Sequence, residues 1–341
     1  GEVINKGNIE ITGTSGIGIY AENNSDTALK TEMTVYNEAL IELGDNGKGI
    51  VITSNNTTGE GGSLTLKDSG TGRDIEIGKN GIGVYAQGSN VKIDGDYGIS
   101  IQEGGVALQT EGNTSISSTN LSDKLTVNYG GTSGTGNTAI GVAFKGNNTT
   151  DTFNNSMNMT VLNTGGAETI VGIYGSGTGT INNTGNLEVE STGSYGIISD
   201  GVDVNNIGNI TIGDNSIPVS SSIGIYAKNA SVNTSGSNIR VQGNGDSSTG
   251  SHPIGIYAKS TTAGNNDINI TGGLLEVEGK SGIGVYLEDD NGTGLKLNNA
   301  SDITLYDSTT VNDRKFGIFM TNVKNTANET SGVITVGGNN I

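Results

Sequence analysis

Few residues in this chain have the types and spacing that covalent chemistry needs. There is one histidine, His252, set in a Ser- and Gly-rich stretch and followed by Pro253. A Ser-His-Asp site would have to use it, yet no Gly-x-Ser-x-Gly elbow is present, and Gly245-Asp246-Ser247 is too common a triplet to stand in for one. The strongest carboxylate set is Asp289, Asp290, Asp302, Asp307 and Asp313 with Arg314 and Lys315, the mixture a polysaccharide lyase or hydrolase would gather in a groove. Solvated turns near one another in sequence account for that set better. Cysteine is absent, which removes disulfides and thiolate-ligated metal. Calcium nonapeptides and EF-hand loops are absent too. No catalytic, cofactor-binding or metal-ligating residue is therefore assigned, the binding residues stay unknown, and the chain reads as no enzyme and as needing no cofactor.

Charge narrows the partners. With 17 Lys and Arg against 35 Asp and Glu, the formal charge is −18, the wrong sign for displacing counterions from phosphates, so nucleic acid is not expected. No run approaches the ~18 apolar residues of a membrane span, and the N-terminus lacks the basic and apolar regions of a signal peptide.

What the sequence does contain is repetition. Gly16-Ile17-Gly18-Ile19-Tyr20-Ala21 returns as Gly81-Ile82-Gly83-Val84-Tyr85-Ala86, Ile223-Gly224-Ile225-Tyr226-Ala227, Ile254-Gly255-Ile256-Tyr257-Ala258 and Gly282-Ile283-Gly284-Val285-Tyr286. With weaker copies, the second glycines align at 18, 49, 83, 105, 141, 172, 196, 224, 255, 284 and 317, about 30 residues apart, inside the period range of solenoids. The copy at 105 competes with Tyr97-Gly98-Ile99.

Between these phrases lie short alternators such as Ile9-Glu10-Ile11, Ile75-Glu76-Ile77, Ile210-Thr211-Ile212 and Ile303-Thr304-Leu305, which have the period of a strand with one buried face. Gly, Asn and Ser clusters bound them and supply turns. No helical period is sustained. Two or three short strands per 30 residues without hairpin signals predict an all-β fold, a right-handed parallel β-helix of about eleven coils with roughly three strands each. The reading is a single segment over 1–341, regular from 18 to 317 and loop-rich near 110–170. Coils ~4.8 Å apart would stack Ile on Ile and give a rod of roughly 50 Å.

Alternation within the glycine phrase puts Ile17, Ile19 and Ala21 inward and Gly18 and Tyr20 outward. Tyr20, Tyr85, Tyr174, Tyr226, Tyr257, Tyr286 and Phe319 then form an outward column of offset-stacked rings. Asn5, Asn183, Asn206 and Asn299 each precede a strand by four residues and predict a turn of left-handed geometry with stacked amides. Loops are expected at Thr53–Ser63, Gly130–Thr138, Gly243–His252 and Asp307–Lys315.

The Gly-Ile-Gly-Ile-Tyr-Ala phrase, the Asn-x-Gly-Asn-Ile-x-Ile phrase and the Asn/Thr/Gly-rich background together resemble the passenger region of large fusobacterial type V autotransporter adhesins, the RadD-like class. The resemblance runs from Ile4 to Val336. It implies a secreted passenger displayed on the bacterial cell surface through an outer-membrane barrel, binding proteins or glycans of host cells or other bacteria. This segment itself is expected to be monomeric and not membrane-inserted. The chain then reads as a section of a longer rod, either presenting binding loops or serving as spacer.

Overall fold

Ile, Val and Leu recur at alternate positions of short segments, and each segment pairs in parallel with its counterpart one repeat later. The computed structural model describes all residues except 1, 24–33, 55–61, 71–72, 133, 192, 214–221, 244–251, 263–265, 291–294, 307–314, 322–328, 331–333 and 337–341, and excludes the side chains of 134–136, 167–168, 329–330 and 334–336. The expected loops at Thr53–Ser63, Gly243–His252 and Asp307–Lys315 lie mostly outside the described residues. Among the described residues every element is a strand, and the order of pairing is that of a parallel β-helix, about eleven coils with three strands in each.

Two compact units emerge, residues 1–180 with 184–186, and residues 181–183 with 187–341. In the first, each of three sheets contains six described strands; in the second, the sheets contain six, six and five. Every third strand belongs to the same sheet, so each coil visits the first, second and third sheet in turn.

Registers stack like on like. In the second sheet, Ile41 pairs with Ile75, Ile75 with Ile99, Ile99 with Val127 and Val127 with Val161. In the second unit's third sheet, Ile197, Ile225, Ile256 and Val285 form one such column, and all four are fully buried. A single coil has no partner for these side chains; a neighbour on each side removes them from water at roughly 25 cal/mol per Å² of apolar surface.

The glycine phrase departs from simple alternation. In Ile82–Gln87, Gly83 and Val84 are both buried, and the ladder passes from Ile82↔Val106 to Val84↔Leu108 without pairing the residue between. A Cβ built on Gly83 would stand 2.6 Å from the carbonyl oxygen of Ala107 and 2.9 Å from Cγ2 of Ile99, in the core. The glycine therefore faces inward, and the expected inward position of the first isoleucine is corrected. Ile17 is 44% exposed. Lacking a side chain, the glycine lets the backbone dip toward the core, so two successive residues face inward and the phase of alternation shifts. The same register places Ala107, rather than Gly105, in the glycine column.

Asparagine closes the turn from first to second sheet, but not in the expected way. Asn37, Asn155, Asn206 and Asn299 point inward and donate to the carbonyl two residues on, at Ala39, Met157, Gly208 and Ser301, over 2.8–3.2 Å. Coil-to-coil amide bonds join Asn5 to Asn37 (2.8 Å) and Asn183 to Asn206 (2.7 Å). Stacking holds, whereas left-handed backbone does not: among the described residues positive φ outside glycine falls instead at Ser15, Asn46, Asn80, Asn229 and Ser281. Ser15, Asn46 and Asn80 occupy the turn from second to third sheet, where each N–H bonds the next coil's turn at Asp45, Lys79 and Glu103. Asparagines in αL thus serve the turn from second to third sheet, while asparagines whose side-chain amide donates to a carbonyl two residues on serve the turn from first to second.

Strands continue through 110–170 and include the two longest described, Gly134–Gly146 and Ala167–Gly177. Gly134–Thr138, expected to be loop, opens the first of these, with a register irregularity between Gly134 and Thr138. Hydrogen bonding along the ladder sustains this extension in a stretch too polar to announce a strand by its pattern. Within the stretch read as loop-rich, Thr149 and Thr150 lie in a turn, and Thr152 already starts the next strand.

Candidate functional site

Of the residues singled out for chemistry, those that the structure describes form no cluster that could hold a metal ion. His252 is half-buried with its Nδ1 3.1 Å from the carbonyl of Ser281, and Gly245-Asp246-Ser247 lies outside the described residues. Asp289 is buried at the end of a third-sheet strand, and its carboxylate accepts from the N–H of Leu295 at 3.5 Å. Asp290 pairs with Lys259 at 3.1 Å, and Asp302 is exposed at the start of a second-sheet strand. Asp307, Asp313 and Arg314 lie outside the described residues. Among the described residues no group of three His, Asp or Glu could hold a metal ion, and no helix is long and apolar enough to cross a membrane, a statement that leaves β-barrels untouched.

The outward aromatic column is shorter than expected. In the first unit Tyr20 stands opposite Val51, Tyr85 between Val51 and Gln109, and Tyr174 opposite Ala143, so no rings stack there. In the second unit Tyr226, Tyr257, Tyr286 and Phe319 occupy successive coils, with ring centroids 5.0, 4.6 and 5.2 Å apart. Only Tyr257 and Tyr286 stack face to face, with planes 15° apart; the other two contacts are edge-on, as ring quadrupoles also favour. These rings cover Ile223, Ile254 and Ile283, the first isoleucines of the phrase, and build a small apolar cluster outside the main core.

Charges flank the rings. Tyr257 donates to Glu288, which also pairs with Lys259 at 2.8 Å. Burial pushes the Tyr257 phenol up, and the bond to Glu288 adds to the shift; the same carboxylate raises Lys259. Tyr85 repeats the arrangement in the first unit. Its hydroxyl donates to Glu111 at 2.9 Å, Lys145 sits 3.1 Å from that carboxylate, and burial followed by Glu111 raises the phenol to about 12. A second ladder runs along the outer face of the second unit's first sheet. Asn205 donates to Asn182, Asn233 to Asn205, Asn269 to Asn233 and Asn298 to Asn269, over 2.6–3.0 Å.

One concavity stands out in the first unit, a groove of about 460 Å³ on the outer face of the second sheet. Glu42, Glu76, Ser100 and Asn128 line it from four successive coils, with Asp45 and Arg73 at its margins. Arg73 lies 3.5 Å from Glu76, and Asp45 accepts from the N–H of Lys79 at 2.9 Å. Glu42 and Glu76 face each other directly in register, a like-charge pairing that costs stability in a sheet. The groove follows from a change of strand length: three residues in Ile41–Leu43 and Ile75–Ile77, six in Asp96–Ile101 and Lys124–Tyr129. The wider coils hold Tyr97 and Tyr129 wholly inside. Chemically the groove offers carboxylates, a guanidinium, an amide and a hydroxyl, which suits hydrogen bonding to a polar ligand. In the sequence the repeated Ile-Glu-Ile and Ile-Glu-Leu triplets mark the glutamates of the groove but not its depth.

Beyond that groove, Glu103 fastens the chain that follows Tyr129. Its carboxylate accepts from the N–H of Thr132 at 3.1 Å and from the Thr132 hydroxyl, with Lys79 3.6 Å away. The Thr132 hydroxyl, first among these groups, lowers the Glu103 carboxyl to about 2. A carboxyl held below its unfolded value stabilises the fold above about pH 4.5 and loses that contribution as pH falls toward 2. In a carboxyl-detected NMR titration Glu103 is expected to reach its midpoint near 2; a midpoint near 4.5 in the folded protein would mean that Thr132 is not held.

No family model matches the chain, and no curated protein matches it. Among solved structures it is similar to the catalytic domain of a GH87 alpha-1,3-glucanase in complex with nigerose, at 12% identity and a TM-score of 0.23. An alanine variant of that domain, also with nigerose, matches at 13% and 0.20. Each alignment covers 96% of this chain, which spans 62% of the glucanase chain. Likeness of that depth transfers neither site nor activity, and the fold rests on its own strand pairing.

Proposed function

We propose that this chain is a non-enzymatic, monomeric section of a secreted, surface-displayed adhesin that holds or extends a binding surface toward glycans or proteins of host cells or other bacteria. The observation that carries the reading is how the outward side chains are used. In the second unit the tyrosines, the asparagines and the Lys259 ion pairs are engaged with one another along the coils, as a scaffold requires. The groove of the first unit instead presents in-register glutamates beside a guanidinium, a hydroxyl and an amide, and we assign partner contact to it. Display at the cell surface through an outer-membrane barrel belongs to the same proposal and rests on the Gly-Ile-Gly-Ile-Tyr-Ala phrase.

The adjacency of Glu42 and Glu76 in that groove favours one second reading, a β-helical polysaccharide hydrolase or lyase. Both are decided by incubating the purified chain with partner cells, with competing sugars and free amino acids, and assaying the sugars for shortened products. Retention without product is expected. Glu42→Gln with Asn128→Ala should lower retention at least fivefold, while Tyr226→Ala and Tyr257→Ala should lower the melting temperature and leave retention of folded protein unchanged. Shortened sugars would select the enzyme. Equal retention by all variants would move binding away from the groove, and no retention at all would leave a pure spacer.

A further inference from the structure

We infer that Tyr257 and Tyr286 form an oxidative cross-linking site, at which a one-electron oxidant of the peroxidase class, fed by hydrogen peroxide, joins two adjacent coils through a dityrosine bond. Three observations lead there. First, the two rings lie on successive strands in direct register, with centroids 4.6 Å apart and planes within 15° of parallel. Coupling two phenoxyl radicals needs one ring to slide and tilt until its ortho carbon closes on that of the other, and both rings lie on the outer face, half-buried and open to solvent on one side.

Second, loss of an electron from a phenol is eased when its proton already has somewhere to go. Tyr257 donates its hydroxyl hydrogen to Glu288, a carboxylate also bonded to Lys259. Third, the side chains that give up one electron most readily beside tyrosine are missing: the chain contains no cysteine and no tryptophan. Met157 and Met159 are buried in the core of the other unit, and Met320, 38% exposed on the strand paired with that of Tyr286, takes up oxygen from peroxide as a sulfoxide and leaves the one-electron route to the rings. Tyr226, with its ring edge-on and 5.0 Å from that of Tyr257, extends the row and can pass an electron to an oxidised neighbour.

The step balances. Each phenol gives up one electron and one proton, that of Tyr257 passing to Glu288 and that of the half-buried Tyr286 to solvent. The two radicals join by a carbon–carbon bond between positions ortho to the oxygens, and the ortho hydrogens shift to oxygen as the rings regain aromaticity. The product has two hydrogens fewer, and they reduce one hydrogen peroxide to two waters. The inference is independent of any adhesive role, since it concerns only a ring pair and its proton acceptor.

The test treats the dilute chain with horseradish peroxidase and hydrogen peroxide, then reads dityrosine fluorescence and maps peptides from the monomer band. A monomer lighter by two hydrogens is expected, with the link between Tyr257 and Tyr286. Tyr257→Phe and Tyr286→Phe retain both rings and should each reduce the monomer signal at least tenfold, whereas Tyr226→Phe should leave the link in place. Dityrosine confined to dimers, a link mapped elsewhere, or a signal within twofold of the parent in either of the first two variants would overturn the assignment. If one of those variants melts early, the other still decides.

Discussion

Replacing Ile225 with Asp is expected to destabilise the second unit by at least about 4 kcal/mol, because a carboxylate would enter a column of apolar side chains with no partner for its charge. Ile225 is fully buried between Ile197 and Ile256, and the strands on either side leave no path by which the carboxylate could reach water. Loss of that size consumes much of the 5–15 kcal/mol that holds an ordinary domain. The informative comparison is Ile223→Asp, two residues earlier in the same strand. Ile223 lies under tyrosine rings outside the main core, so its carboxylate can turn past them into solvent, and the expected loss is about half as large or less. Urea titration of both variants measures the difference. Equal losses would show that the first and second isoleucines of the phrase share one face, contrary to the glycine-centred shift in alternation.

Gly224→Val should have the next largest effect, a loss of about 3 kcal/mol or more through overpacking. A Cβ at this position would sit 2.5 Å from the carbonyl oxygen of Gly255 and 2.7 Å from Cγ2 of Ile239. One of those neighbours is backbone, fixed between the paired Ile254 and Ile256, so relief by a side-chain rotation is closed off. The requirement here is for space and not for an unusual φ, since this glycine is not among those with positive φ. Gly224→Ala should lose less than Val, because Ala107 shows that one methyl can be housed in the same column of the first unit. A valine variant with the melting temperature of the parent would mean that adjacent coils separate more easily than their pairing implies.

Much of this fold could be read from the sequence, for a definite reason. Core columns such as Ile197, Ile225, Ile256 and Val285 recur once per coil, and burial selects similar side chains at each recurrence, so the period is written in the apolar letters. The inward turn of glycine was not legible, because a simple period of two assumes that every residue alternates and that small residues face out. Aligning the fourth copy on Gly105 fails for the same reason: matching letters favour the glycine, whereas pairing follows backbone position and puts Ala107 in that column. The aromatic column was drawn too long because Val51, Gln109 and Ala143 fill its place in other coils. The groove depends on strand lengths changing from coil to coil, which a repeated phrase conceals. The outer asparagine ladder escaped notice because Asn182, Asn205, Asn233, Asn269 and Asn298 stand beside inward-facing residues, three of them asparagines, and only the pairing separates the two rows.

That ladder has a polarity of its own. Each amide from Asn205 to Asn298 donates to the asparagine of the preceding coil, so the side-chain dipoles point the same way and their moments add, with each bond polarising the next. Backbone dipoles across a sheet largely cancel. This face is therefore vectorial: its electrostatic potential distinguishes the direction of the N-terminal coils from that of the C-terminal ones. An aspartate placed within the row, able to accept but not to donate, would interrupt the sum at a single rung and divide one long dipole into two short ones.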